Sequence, residues 1–228
     1  MRKTLFKNKS SLDVNLANDI LKQLNKYRNE NGKASILFSG GSTPHGMLKQ
    51  LAESTFDWSD IIVSLVDDRV VEKTSEYSNS AMIENLFLNK INGTKPHFYQ
   101  LVLHPEEAIN NMNEVLGYMD KLSFPDIVIL GMGPDGHFAS LFPNDKASAE
   151  GLKLTFNKPL IYTNAPQEPK KRISFSWSYL RKASEIYLHI TGEEKLKLLI
   201  QKEKRAEVLP IDTLLNDQEV KPTLYWAP

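Results

Sequence analysis

Residues Ala34-Ser35-Ile36-Leu37-Phe38-Ser39-Gly40-Gly41-Ser42-Thr43-Pro44 carry the pattern on which the reading of this chain turns. Ala34 to Phe38 is a short apolar run of strand length, the signature of a buried strand. Two glycines then break it. Thr43 suits a helix cap and Pro44 a first helical turn. Met47, Leu48, Leu51 and Ala52 continue at helical spacing. A strand that runs through glycines into a helix start presents free backbone N–H groups and the positive end of a helix dipole. Such a loop cradles anions. Ser39, Ser42 and Thr43 add hydroxyl donors, while Gly40 and Gly41 let the backbone come close to a ligand. The spacing matches neither the P-loop nor the dinucleotide fingerprint. A plain strand-to-helix turn is the competing reading, and the segment alone does not decide between them.

Working outward, Leu16, Ala17, Ile20, Leu21, Leu24 and Tyr27 share one helical face, and Asn31-Gly32 supplies the stop. Downstream, Ile61 to Val66 reads as a strand, followed at once by Asp67-Asp68-Arg69. A helix is expected over Asn79 to Leu88, a short strand over His97 to Leu101, and helix from Glu106 to Met119. Asp126 to Leu130 is a third buried strand, followed by Gly131-Met132-Gly133-Pro134-Asp135-Gly136-His137. Leu160 to Thr163 and Glu185 to Thr191 complete the strand pattern, and Glu194 to Gln201 starts another helix. Strands alternating with helices predict an α/β fold with a mostly parallel sheet covered on both faces. No repeat is visible, and Pro166 to Pro169 reads as a loop, so one domain over 1–228 is expected. In such folds ligands bind outside the carboxyl ends of the strands. The segments at 39–44, 67–69 and 131–137 all fall at those ends.

The 228 residues suffice for one large α/β domain, and 41% apolar with 25% charged residues is ordinary globular composition. Lys+Arg and Asp+Glu both number 28, so bulk charge points to neither a nucleic-acid nor an anionic-membrane partner. The absence of cysteine excludes disulfides, thiolate nucleophiles and Cys-based metal sites, and fits a reducing compartment. Met1 to Ser10 lacks the apolar core of a signal peptide, and no apolar run has membrane-span length. A cytoplasmic location is expected.

Three further segments offer chemistry. Asp67-Asp68-Arg69 could place a base and a cation beside a ligand, or form a solvated turn with an internal ion pair. The loop 131–137 presents His137, the natural general base near neutral pH, with Asp135 two residues away to orient its ring. Arg172 and Lys195 could meet phosphate oxygens, or be solvated basic residues. Lys202, Lys204 and Arg205 read as a solvated basic face, and His45 as a surface residue. No His, Asp and Glu cluster has metal-ligand spacing. Ser140 is not on a nucleophile elbow, so a Ser-His pairing with His137 is set aside.

Taken together, these segments resemble the 6-phosphogluconolactonase family, within the wider group that includes glucosamine-6-phosphate isomerases. The matches run in order: Ser-Gly-Gly-Ser-Thr-Pro at 39–44, Asp-Asp-Arg at 67–69, Ser-Asn at 78–79, Gly-Met-Gly-Pro-Asp-Gly-His at 131–137, Ala-Ser-Leu-Phe-Pro at 139–143, Arg172-Ile173-Ser174, and Thr191-Gly192 with Lys195. Asp68 stands where that family usually has Glu.

The resemblance implies a modified doubly wound, Rossmann-like fold of the glucosamine-6-phosphate deaminase/ribose-5-phosphate isomerase kind. It implies hydrolysis of 6-phospho-D-glucono-1,5-lactone in the oxidative pentose phosphate pathway, with no metal or organic cofactor. The expected partner is the small sugar-phosphate lactone, with neither nucleic acid nor membrane, and the expected state is monomer or homodimer. His137, Asp135, Arg69 and Asp67 would form the catalytic group. Ser39, Gly40, Gly41, Ser42, Thr43, Arg172 and Lys195 would hold the substrate and its phosphate. Which cation meets phosphate and which the oxyanion is left open. Two alternatives stand beside this. An amino-sugar phosphate deaminase/isomerase would place a Glu five residues after the loop histidine, where this chain has Phe142. A non-catalytic sugar-phosphate-binding module would not need His137 and Asp135.

Overall fold

Ala34–Phe38 folds as a fully buried strand inside a seven-stranded parallel sheet. The computed structural model describes residues 1–122 and 124–228. In chain order the elements are β1 (Arg2–Leu5), α1 (Lys9–Asn31), β2 (Ala34–Phe38), α2 (His45–Ala52), β3 (Ile61–Leu65), β4 (Asp67–Arg69), α3 (Asn79–Leu86), β5 (His97–Phe98), α4 (Ala108–Leu122), β6 (Ile127–Leu130), α5 (Lys146–Gly151), β7 (Leu160–Asn164), β8 (Lys171–Phe175), α6 (Trp177–Leu180), β9 (Glu185–Thr191), α7 (Glu193–Ile200), α8 (Pro210–Asn216) and β10 (Thr223–Ala227). The main sheet has the order β1-β10-β9-β6-β2-β3-β5, parallel throughout. Every residue of β2, β3 and β6 is buried, so both faces of the sheet centre are covered. The direction of winding reverses between β2 and β6. The loops leaving those two strands therefore part and open a crevice. Among the described residues, no helix is long and apolar enough to cross a membrane.

Helix α1 follows its sequence pattern closely. Asn8 caps it by accepting from Ser11 N at 2.9 Å. Gly32 ends it in the left-handed conformation at φ 76°, with its N–H on Arg28 O. Leu12, Leu16, Ile20, Leu24 and Tyr27 form its buried stripe. Helix α2 departs from expectation: Pro44 sits at the cap position, no side chain caps the helix, and Thr43 lies before it. The strand expected over His97 to Leu101 is only β5, and the helix from Asn79 stops at Leu86 before a 3-10 turn at Leu88–Lys90.

A three-stranded antiparallel sheet, β4-β8-β7, stands beside the main one. Val66 is the corner between them. Its N–H bonds Phe38 O in the main sheet, and its carbonyl accepts from Phe175 N in the small one. The chain thus leaves β3 and enters β4 within one residue. Asp67-Asp68-Arg69 is strand, not a solvated turn, and pairs with Ser174, Ile173 and Arg172.

Asp68 is buried at 1% exposure and holds the start of α3. Its carboxylate accepts from Asn79 N at 2.7 Å, Ser80 N at 3.0 Å, Ser80 Oγ at 2.7 Å and Arg69 N at 2.8 Å. A carboxylate at a helix N-terminus is favoured by the dipole. Burial outweighs these bonds and pushes the carboxyl up to about 6. Because the folded value is raised, the stabilisation from this group is full below its ordinary acidic value and is lost as pH rises through about 6. Carboxyl 13C shifts should show Asp68 titrating near 6, and Asp68→Ala, which strands four donors, should lower the denaturant midpoint by the equivalent of about 3 kcal/mol.

Candidate active site

The crevice at the carboxyl ends of β2 and β6 is a cavity of about 540 Å3. All the residues proposed from sequence line it: Ser39 to Thr43, Asp67, Arg69, Asp135, His137, Arg172 and Lys195. Residues up to about 150 positions apart in the chain, such as Gly40 and Lys195, therefore share one space.

The Ser39–Thr43 loop is shaped by close contact and by backbone conformation. A Cβ at Gly40 would fall 2.0 Å from Asn79 Oδ1, so only glycine admits that approach. Gly41 adopts φ 85°, in the left-handed region that glycine occupies at little cost. The sequence groups Ser39 with Ser42 and Thr43 as a hydroxyl donor, and in the fold its hydroxyl is engaged within the protein. Its Oγ donates to Ile129 O at 2.9 Å and accepts from Gly131 N at 3.0 Å. That hydroxyl is spent on joining the two loops, which leaves Ser42 and Thr43 as the loop's side-chain donors.

His137 is oriented as its spacing from Asp135 suggests. Its Nδ1 lies 2.5 Å from Asp135 Oδ1, and its backbone N–H bonds the same oxygen at 3.2 Å. Burial raises the Asp135 carboxyl, but the bonds from His137 more than offset it and hold it below the usual value. Gly133 is needed for this geometry, since a Cβ there would lie 2.2 Å from the His137 ring. The Phe142 ring packs against the imidazole at 4.6 Å between centroids. With Nδ1 held by the carboxylate, Nε2 is the nitrogen left for chemistry.

The cations come from both sheets. Arg69 and Arg172 are direct cross-strand partners on β4 and β8. Arg69 donates to Tyr77 O at 2.6 Å, and its Nε is buried without a hydrogen-bond partner. Arg172 donates from Nε to Pro169 O at 2.9 Å, and its guanidinium lies 5.9 Å from the Phe142 ring centre. Burial first, and the neighbouring Arg69 second, lower the Arg172 pKa, with Asp67 and Asp68 acting the other way. Lys195 enters from the first turn of α7, and burial lowers its pKa too. Two arginines facing one another and a half-buried lysine leave positive charge for an anion to neutralise.

The acids divide their work. Asp67 accepts from Ser140 Oγ at 2.5 Å, and its backbone carbonyl accepts from Asn79 Nδ2 at 2.9 Å. Asp68 is turned to α3 and is absent from the cavity lining. Ser140 is thus engaged by Asp67, consistent with setting it aside as a nucleophile. Among the described residues, no group of three or more His, Cys, Asp or Glu side chains could hold a metal ion.

Sequence reasoning did not single out Asn79, Phe142, Gln167 or His189 as lining residues. Asn79 opens α3 beside a motif that had been noted. His189 lay inside a strand pattern and gave no signal of its own. His45 is exposed, as expected.

Fold and crevice define an α/β protein with a cationic pocket and a carboxylate-oriented histidine where the sheet order reverses. The chain belongs to the family described as glucosamine-6-phosphate isomerases/6-phosphogluconolactonase, which matches residues 7–226. It is 34% identical over 227 residues to a 6-phosphogluconolactonase of Rhizobium meliloti (strain 1021), covering 98% of this chain and 97% of that one. It is 34% identical over 200 residues to one from Helicobacter pylori (strain J99), covering 86% and 84%. The crystal structure of a 6-phosphogluconolactonase from Shewanella baltica OS155 superposes with a TM-score of 0.90 at 31% identity, covering 100% and 98%. A monomeric glucosamine-6-phosphate deaminase superposes at 0.80 with 15% identity, covering 100% and 97%, which is a likeness of fold.

Gly40→Ala should force Asn79 from its bond to Asp67. The expected result is a loss of about 1–3 kcal/mol in denaturant unfolding, and a displaced Asn79 amide in a crystal structure of the variant.

Proposed function

We propose that this chain is a 6-phosphogluconolactonase, working in the cytoplasm as one domain without a metal or organic cofactor. The observation that carries the reading is the His137–Asp135 pair, facing a cavity ringed by Arg69, Arg172, Lys195 and the Gly40–Gly41 loop. Membership of the family and the lactonase relatives support the substrate.

The 6-phosphate rests on the Gly40–Thr43 backbone, with Ser42, Thr43, Lys195 and Arg172 around it. Lactone C1 then faces His137. A water attacks the C1 carbonyl as Nε2 takes its proton, and Asp135 stabilises the imidazolium that forms. Arg69 faces the oxygen that becomes negative in the tetrahedral intermediate, where a preorganised cation has most effect. The intermediate collapses with cleavage of the bond from C1 to the ring oxygen. His137 returns the proton to that oxygen, which becomes the C5 hydroxyl. One water is consumed and 6-phosphogluconate is formed.

Two observations favour this over an amino-sugar deaminase. Phe142, an apolar ring, packs on His137 where a deaminase of this kind would hold a Glu. Asp67 is bonded to Ser140, while the His137–Asp135 pair is the one set for proton transfer at the lactone carbonyl. Lactone hydrolysis needs one proton shuttle; isomerisation needs more.

The test follows lactone made in situ from glucose 6-phosphate, with product measured through 6-phosphogluconate dehydrogenase against spontaneous hydrolysis. The wild type should accelerate the reaction, and His137→Ala should lower kcat by about 10²–10⁴-fold. Wild-type kcat in that variant would remove His137 from the mechanism. Gly133→Ala should lower kcat through displacement of the imidazole, with KM little changed. Lys195→Ala should act mainly on KM.

A further inference from the structure

Below the Gly40–Thr43 loop lies a trio that the mechanism does not use: buried His189 and Asp13, with the half-exposed Lys9. His189, on β9, is 2% exposed and lines the cavity. Its Nε2 faces Asp13 Oδ1 of α1 at 3.5 Å, and neither atom completes a hydrogen bond. The other Asp13 oxygen accepts from Lys9 Nζ at 2.7 Å. The trio is packed against the helix that leaves the loop, since a Cβ at Gly46 would fall 2.0 Å from Asp13 Oδ2.

We propose that His189 is a further binding residue of the phosphate end of the cavity, and that its ring takes up a proton when a phosphate dianion binds. This rests on the assignment of the Gly40–Thr43 loop and Lys195 to phosphate.

A neutral imidazole has one N–H and one bare nitrogen. If the N–H serves Asp13, the remaining nitrogen is an acceptor, the wrong polarity for a phosphate oxygen. A second proton makes the ring a donor at both nitrogens, one for Asp13 and one for the anion. The charged groups around it set the balance. Burial keeps the ring neutral and lowers its pKa, Asp13 opposes this, and Lys9 and Lys195 reinforce it. On the neighbouring strand, Tyr225 lies level with His189 but turns its hydroxyl to Asp19. A dianion beside the ring cancels the repulsion from Lys195 and adds attraction for a proton. Linkage then fixes the sign: phosphate binding raises the ring's pKa, and affinity falls as pH rises through the value in the complex.

The experiment uses the full chain with 13C-labelled histidine and glucitol 6-phosphate, which carries the phosphate but no carboxylate to disturb His137. Glucitol is the control. The ring signal of His189 is assigned by replacing His45, His97, His104 and His137 in turn, so the buried site stays intact. Without ligand, the His189 midpoint should lie below the ordinary histidine value. With saturating glucitol 6-phosphate it should rise by about one unit or more, and the Kd, referred to the phosphate dianion, should weaken by about tenfold or more from below the free midpoint to above the bound one. Glucitol should leave it unmoved. An unmoved midpoint, with tight phosphate-dependent binding, would overturn the role of His189 and leave the phosphate loop standing. Equal binding of glucitol and glucitol 6-phosphate would overturn both.

Discussion

The pairing of β2 with β6 is the constraint on which the site depends, and serines fasten it at both ends. At the carboxyl end, Ser39 Oγ bridges Ile129 O and Gly131 N. At the amino end, the Ser35 N–H and Oγ both donate to Asp126 Oδ2, and Ser35 Oγ accepts from Asp126 N at 3.0 Å. Backbone pairing sets the register of adjacent strands, and these bonds fix how the chain leaves them. The two loops that carry the anion cradle and the histidine are joined at their roots.

Charge is the second organising feature. Arg69 and Arg172 are held side by side by the β4–β8 ladder, which takes no account of their repulsion. Their fixed bonds are to backbone carbonyls, Tyr77 O and Pro169 O, which orient the guanidinium groups without neutralising them. Asp67 and Asp68 lie close enough to offset part of the repulsion, although their hydrogen bonds go to Ser140 and to the start of α3. The two guanidinium groups repel at rest, in part offset by these carboxylates, and an incoming anion relieves what is left. That is preorganisation in the electrostatic sense: the donors are in place before the charge arrives.

Much of this was legible in the sequence because it depends on short-range pattern. The apolar run of β2, the Gly32 stop of α1 and the Gly-rich loop at 131–137 each state their structure locally. What could not be read depends on distant pairing. Asp67-Asp68-Arg69 looked like a turn because three polar residues carry no strand signal; they are strand only because β8 lies against them. β1, with mostly exposed side chains, has no apolar pattern to declare it. Asp68 stood out only as the shorter acid where the family usually has Glu, and the fold shows its four donors. Ser39 looked like one hydroxyl donor among three, and its engagement with β6 needed coordinates. His189 was hidden because a histidine within an apolar strand is indistinguishable from a packed one.

The main sheet also fixes one cation of the pocket from a distance. β10 lies between β1 and β9, and it grips the start of α7: Gly192 N bonds Ala227 O at 2.9 Å, and Trp226 Nε1 bonds Gly192 O at 2.9 Å. Gly192 caps the helix whose first turn carries Lys195. His137 follows β6, which β9 separates from β10. Damage confined to Thr223–Ala227 would therefore reach Lys195 first, while Arg69 and Arg172 are held by the other sheet.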